Sequence, residues 1–90
     1  LSKERLTSRD GEVFGRSANF SHVMISAKRA SRRHLRFTYR SNHLYVTDLN
    51  SSSGTHLNGV ALAPMTPTPV SVGDVITIAD TTVMEVKYVV

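Results

Sequence analysis

Asp48-Leu49-Asn50-Ser51-Ser52-Ser53-Gly54-Thr55-His56-Leu57-Asn58-Gly59 carries the densest turn signals in this 90-residue chain. Its first half is a hydroxyl-rich loop closed by Gly54. Its second half ends in Asn58-Gly59, a tight-turn pair, because both residues tolerate positive φ. Upstream stands Ser31-Arg32-Arg33-His34, in a loop ahead of a clear strand, and before it Gly15-Arg16 at a strand end. Downstream lies Gly73-Asp74, another turn.

Strand periodicity fills the space between these motifs. Leu35, Phe37 and Tyr39 alternate with Arg36, Thr38 and Arg40. Leu44 and Val46 share one face, Ile76 and Ile78 another, and Met84, Val86, Tyr88 and Val90 alternate with Glu85, Lys87 and Val89. Such period-2 patterning suits strands with one face on a core and one towards water. Ser41-Asn42 links two such runs, so residues 34–48 read as a hairpin. The run from Pro64 to Pro69 cannot occupy a central strand, since proline donates no ladder hydrogen bond, and reads as an edge or exposed loop. Short strands at intervals of roughly 8–12 residues predict an all-β fold, an antiparallel β-sandwich or barrel. Tyr39, Tyr45 and Phe37 are read as core or cross-strand pairs rather than base-stacking platforms.

The length allows one domain, expected over 1–90, with an N-terminal strand near Arg5 to Thr7 that is short or trimmed. The chain starts without Met, as an excised domain would. There is no cysteine, which removes disulfide and thiolate chemistry and suits an intracellular home, cytoplasmic or nuclear. No apolar run approaches the roughly 18–20 residues a membrane span needs. The net charge is +4, but its placement says more. From Val13 to Thr47 there is no Asp or Glu, while Arg16, Lys28, Arg29, Arg32, Arg33, Arg36 and Arg40 all fall there. A one-signed field of this kind favours an anionic partner or serves as a solvated face.

A phosphorylated side chain carries about −1.5 to −2 charges and three strong acceptor oxygens. Reading it takes a fixed guanidinium, short hydroxyl donors and backbone N–H groups that converge on one spot. Arg16, Ser31, Arg32 and the loop Ser51-Ser52-Ser53 are parts of that kind. The ordered set Gly15-Arg16, Ser31-Arg32-Arg33-His34, Asp48 to Gly59 and Gly73-Asp74 resembles the forkhead-associated (FHA) domain, a small β-sandwich with ligand-binding loops at one end. The resemblance covers about residues 12–88 and implies a non-catalytic module that binds phosphothreonine peptides through an Arg cluster.

By resemblance, Arg16 contacts the phosphate and Ser31 donates its hydroxyl to a phosphate oxygen. Arg32 adds charge or a backbone donor, and Ser52 sits beside the phosphate and the threonine methyl. His34 ties the two binding loops together, and Gly15, Gly54, Thr55, Asn58 and Gly59 are scaffold. The family usually has Asn where this chain has Ser53, and that Asn grips the peptide main chain. Serine is shorter and has one donor fewer, which weakens that grip. Arg29 stands where some members read the third residue after the phosphothreonine, implying an acidic preference there.

Other chemistries fit less well. A hydrolase triad needs a nucleophile on a strained elbow, and no Gly-x-Ser-x-Gly occurs. His22, His34, His43 and His56 lack cysteine partners and zinc-like spacing, so no metal and no cofactor is expected. A nucleic-acid-binding β-domain, motivated by the acid-free stretch, is disfavoured because no aromatic RNA-binding signature is present. A phospho-independent interaction domain stays open through the Ser53 departure.

Overall fold

In the computed structural model, residues 11–15, 23–24, 31–79 and 82–86 are described. They form strands and turns, with no helix among them: β1 (Glu12–Gly15), β2 (Val23–Met24), β3 (Leu35–Arg40), β4 (His43–Asp48), β5 (Thr55–Leu57), β6 (Val60–Ala61), β7 (Thr68–Val70), β8 (Val75–Ile78) and β9 (Thr82–Glu85). One sheet runs in the order β2-β1-β3-β4-β7 and the other β6-β5-β8-β9. Of the sandwich and barrel that the periodicity allowed, this is the sandwich, as the resemblance implied. Among the described residues every pairing is antiparallel except that of β1 with β2, which is parallel through Phe14↔Val23 and Gly15↔Met24. The expected strand near Arg5 to Thr7 lies outside the described residues.

The alternation sorts each strand into a core side and a water side. Leu35, Phe37, Leu44, Val46, Val70, Ile76 and Ile78 are buried together, with Phe14 and Ala79. Phe14 and Phe37 meet edge to face, with ring centroids 5.3 Å apart and planes at 72°, a favoured aromatic geometry. Leu57, Met84 and Val86 of the second sheet's layer pack partly buried against this cluster. Tyr39 does too, whereas Tyr45 stands on the opposite face of β4, across from Thr38.

Turn chemistry sets the registers. Ser41 and Asn42 both take positive φ, 52° and 64°, and join β3 to β4 so that Arg40 faces His43 and Leu35 faces Asp48. Two left-handed residues in a two-residue loop match the strand twist. Asn58 (φ 50°) and Gly59 (φ 83°) do the same between β5 and β6. Pro69 lies in β7, the edge strand of its sheet, where its missing N–H costs no ladder bond. Gly11 is fixed by a close approach: it has φ 68°, and a Cβ there would fall on the Phe37 carbonyl oxygen and the Thr38 methyl.

Strand direction gathers three chain segments at one end. β1 runs antiparallel to β3 with Phe14 opposite Leu35, and β4 ends with Asp48 opposite Leu35. The exit of β1 at Gly15, the entry to β3 at Ser31–His34 and the exit of β4 into Leu49–Gly54 therefore share one tip.

Candidate functional site

His34 organises that tip. It is fully buried. Its backbone N–H donates to the Phe14 carbonyl at 2.8 Å, and its own carbonyl accepts from Leu49 N–H at 2.9 Å. The ring works on both edges. Ser31 N–H donates to Nδ1 at 3.0 Å, so Nδ1 carries the lone pair and Nε2 the hydrogen. Nε2–H then donates to the Gly54 carbonyl at 2.8 Å. That carbonyl also accepts from Ala79 N–H at 3.2 Å, which ties the loop to the second sheet. One imidazole thus links the loop before β3, the loop after β4 and the far sheet.

Asp48 shapes the Ser-rich loop from below. It is 2% exposed. Its Oδ1 accepts from Ser51 Oγ at 2.6 Å and from Thr55 Oγ1 at 2.7 Å, and its Oδ2 accepts from Ser51 N–H at 3.1 Å. Ser51 Oγ in turn accepts from Gly54 N–H at 3.0 Å. Its hydroxyl closes a local turn, as Ser after an Asx residue commonly does. A buried carboxylate holding several donors resists loop deformation, since losing it strands each of them. Asp48 belongs to the motif by sequence, but its role shows only in these contacts. The signal was available: Asp with Ser three residues on and Thr seven on, across a loop end.

The ligand-facing groups rest on this frame. Ser31 is half-buried and Ser52 exposed. Ser52 N–H donates to Ser31 Oγ at 3.1 Å, and the two hydroxyl oxygens lie 3.4 Å apart. Either hydroxyl can donate to the other across that contact, which leaves the second hydroxyl's hydrogen to an outside acceptor. Two hydroxyl donors on one spot, with Arg32 exposed beside Ser31, suit a tetrahedral oxyanion. Ser53 is half-buried next to them and Gly54 carries φ 83°. Gly15 closes β1 at the same tip. Arg16 and Arg29 lie outside the described residues.

Asn58, Gly59 and the Gly73-Asp74 motif are not brought to the tip. They meet at the other end of β5 and β8. Asn58 Oδ1 accepts from Val75 N–H at 2.8 Å, and Asn58 Nδ2 donates to Asp74 Oδ1 at 3.1 Å. Asp74 Oδ2 also accepts from Ser71 N–H at 2.7 Å. The Ser71 backbone N–H first, and the Asn58 amide second, hold the Asp74 carboxyl below its ordinary value of 3.8. Thr55 is buried at the start of β5 with its hydroxyl on Asp48. No cluster of metal-ligating side chains occurs among the described residues. None of their helices is long and apolar enough to cross a membrane, as none is present.

The chain belongs to the FHA domain family, whose sequence pattern matches residues 12–79. It is 40% identical over 60 residues to the "Probable E3 ubiquitin-protein ligase dma1" of Schizosaccharomyces pombe, covering 62% of this chain and 22% of that protein. It is 36% identical over 76 residues to an FHA domain-containing protein of Arabidopsis thaliana, covering 84% of this chain and 20% of that one. The chain thus spans about a fifth of the length of these relatives. Among solved structures, the FHA domain of an Arabidopsis thaliana hypothetical protein superposes with TM-score 0.79 at 33% identity, over 91% of this chain and 71% of that one. The FhaA FHA domain, complexed with the intracellular domain of Rv3910, gives TM-score 0.68 at 27% identity, over 82% and 78%. The N-terminal FHA domain of Saccharomyces cerevisiae Rad53p, solved with a phosphothreonine peptide, shares the fold with TM-score 0.69 at 24% identity, over 87% and 67%.

Proposed function

We propose that this domain is a non-catalytic reader of phosphothreonine on partner proteins, acting in signalling by recruitment. The observation that carries the reading is the meeting of Ser31 and Ser52. Groups from two loops, 21 residues apart in sequence, put their hydroxyls side by side on a frame locked by His34. Membership of a family with members solved on phosphothreonine peptides supports it. In this reading Arg16 and Arg32 supply positive charge to the dianion. Ser31 and Ser52 donate hydroxyl hydrogen bonds, and Ser53 takes the backbone contact that an Asn usually makes. Arg29 favours an acidic residue three positions after the phosphothreonine. Gly15, His34, Gly54 and Thr55 hold the loops, while Asn58 and Gly59 brace the opposite end. The setting implied is cytoplasmic or nuclear, where kinases write phosphothreonine.

The threonine methyl would sit beside Ser52. Burying one methyl contributes about 1 kcal/mol, so selectivity over phosphoserine beyond about tenfold needs steric exclusion as well. Fluorescence anisotropy with matched phosphothreonine, phosphoserine and unmodified peptides tests the reading. Binding ordered phosphothreonine, then phosphoserine, then nothing for the unmodified peptide is expected. Equal weak binding of all three would sink it.

A further inference from the structure

The water side of the β3–β4 hairpin holds a groove that the loop tip does not use. It encloses about 460 Å³ and is floored by Arg36, Thr38 and Arg40 of β3 with Tyr45 and Thr47 of β4. Met65 and Pro67 form one wall. We propose that this groove binds an extended acidic peptide segment of a partner protein, with one carboxylate on Arg36, another on Arg40 and an apolar side chain between them.

Charge comes first. Among the described residues, two guanidiniums line the groove and no carboxylate does. Arg36 Nε is buried and finds no hydrogen-bond partner among the described residues. A polar group of this kind, left without a partner, costs stability until an acceptor arrives. An incoming carboxylate can accept from it and from the rest of the fork together.

Spacing comes second. Arg36 and Arg40 stand four residues apart on one strand face, about 13 Å along the strand. An extended peptide puts residues i, i+2 and i+4 on one side over the same length, about 13 Å. Acidic residues at i and i+4 therefore match the two arginines. The residue at i+2 falls over Thr38 and Tyr45, beside Met65 and Pro67. Met65 is 55% exposed, and a thioether next to a proline ring accepts an aliphatic side chain of varied shape.

The wall is already built. Met65 N–H donates to the Asp48 carbonyl at 2.8 Å. Thr66 Oγ1 donates to the Pro64 carbonyl and Thr68 Oγ1 to the Thr66 carbonyl, each at 3.2 Å. β7 then pairs with β4 through Val46↔Thr68 and Tyr45↔Pro69. A wall fixed before binding reduces the ordering cost of the complex. A nucleic-acid strand fits less well. Its affinity grows with the number of phosphates neutralised along a basic track, and this groove offers two arginines against an apolar wall.

The test uses the 90-residue chain and an unphosphorylated peptide centred on Asp-Thr-Leu-Thr-Asp. Amide shifts are followed in a two-dimensional nitrogen–proton NMR titration. Shifts confined to residues 36–40, 45–47 and 65–68, absent with the Asn-for-Asp peptide, are expected. The Arg36→Gln, Arg40→Gln double variant should bind the acidic peptide at least about tenfold more weakly. It should bind a phosphothreonine peptide within about twofold of the unaltered chain. No shift in the hairpin at millimolar peptide would overturn the proposal. So would shifts centred on Ser31 and Ser52, or stronger occupation of the groove by a short single-stranded oligonucleotide. The wild-type shift map decides the matter even if the double variant folds poorly. Failure here leaves the loop-tip reading intact, because the two sites share no residue.

Discussion

Ser52 donates its backbone N–H to the Ser31 hydroxyl at 3.1 Å, so each loop of the tip completes the other. Ser31 Oγ accepts from that N–H and also meets the Ser52 hydroxyl oxygen at 3.4 Å. Ser31→Ala removes the acceptor and the hydroxyl from this half-buried loop position. Phosphothreonine-peptide affinity is expected to fall about 10- to 100-fold, as for loss of a hydrogen bond to a charged group. Stability should fall by no more than about 1 kcal/mol. Anisotropy and urea denaturation on the same sample separate the two effects. A loss of affinity smaller than twofold would remove Ser31 from the site.

His34→Ala has the opposite balance. The ring is fully buried and bonds Ser31 N–H on one side and the Gly54 carbonyl on the other. Deleting it leaves a cavity and two stranded polar groups. A loss of about 3–5 kcal/mol is expected, large for a domain of this size. His34→Gln offers an acceptor and a donor on a longer, less rigid arm and should recover part of it. If His34→Ala were neutral in urea denaturation, the bridging role would be wrong.

Asp48→Asn tests the loop from below. The amide nitrogen cannot accept, so at least one of the Ser51 and Thr55 donors that Asp48 now satisfies is left facing another donor. Destabilisation of about 1–3 kcal/mol is expected, together with faster amide exchange at Ser51 and Gly54. Unchanged exchange at those two amides would contradict the account.

The strand faces and tight turns were legible in the sequence because they are local. Leu35 and Phe37, and Leu44 and Val46, announce their core face by period 2, and Ser41-Asn42 and Asn58-Gly59 announce their left-handed backbone by residue type. The tip motifs were legible through their order in the chain, which the resemblance to the family rests on. What stayed hidden is non-local. The parallel pairing of β1 with β2 leaves no periodic trace, since register is set by packing across the sheet. Asp48 reads as one more loop residue until its partners are seen around it. The arginines at 36 and 40 read as a solvated basic face, and only the wall of Met65 and Pro67 turns that face into a groove.

Asp74 gives a pH prediction. Its carboxyl titrates below the ordinary 3.8 because Ser71 N–H and the Asn58 amide favour the charged form. A depressed value in the folded state stabilises the fold above the unfolded value and loses that effect as pH falls through the folded one. Wild type and Asp74→Asn should therefore differ in melting temperature at about pH 6 and converge as pH drops below about 3.8. A constant difference across that range would contradict the role given to the carboxylate.

The most direct measurement of the central claim is a nitrogen–proton NMR titration of the 90-residue chain with a phosphothreonine peptide, repeated with its unphosphorylated twin. Phosphate-dependent shifts centred on the amides of Ser31, Arg32, Ser52 and Ser53 are expected, with the Asn58–Asp74 end still. Identical shifts with both peptides, or phosphate-dependent shifts that avoid Ser31 and Ser52, would contradict it.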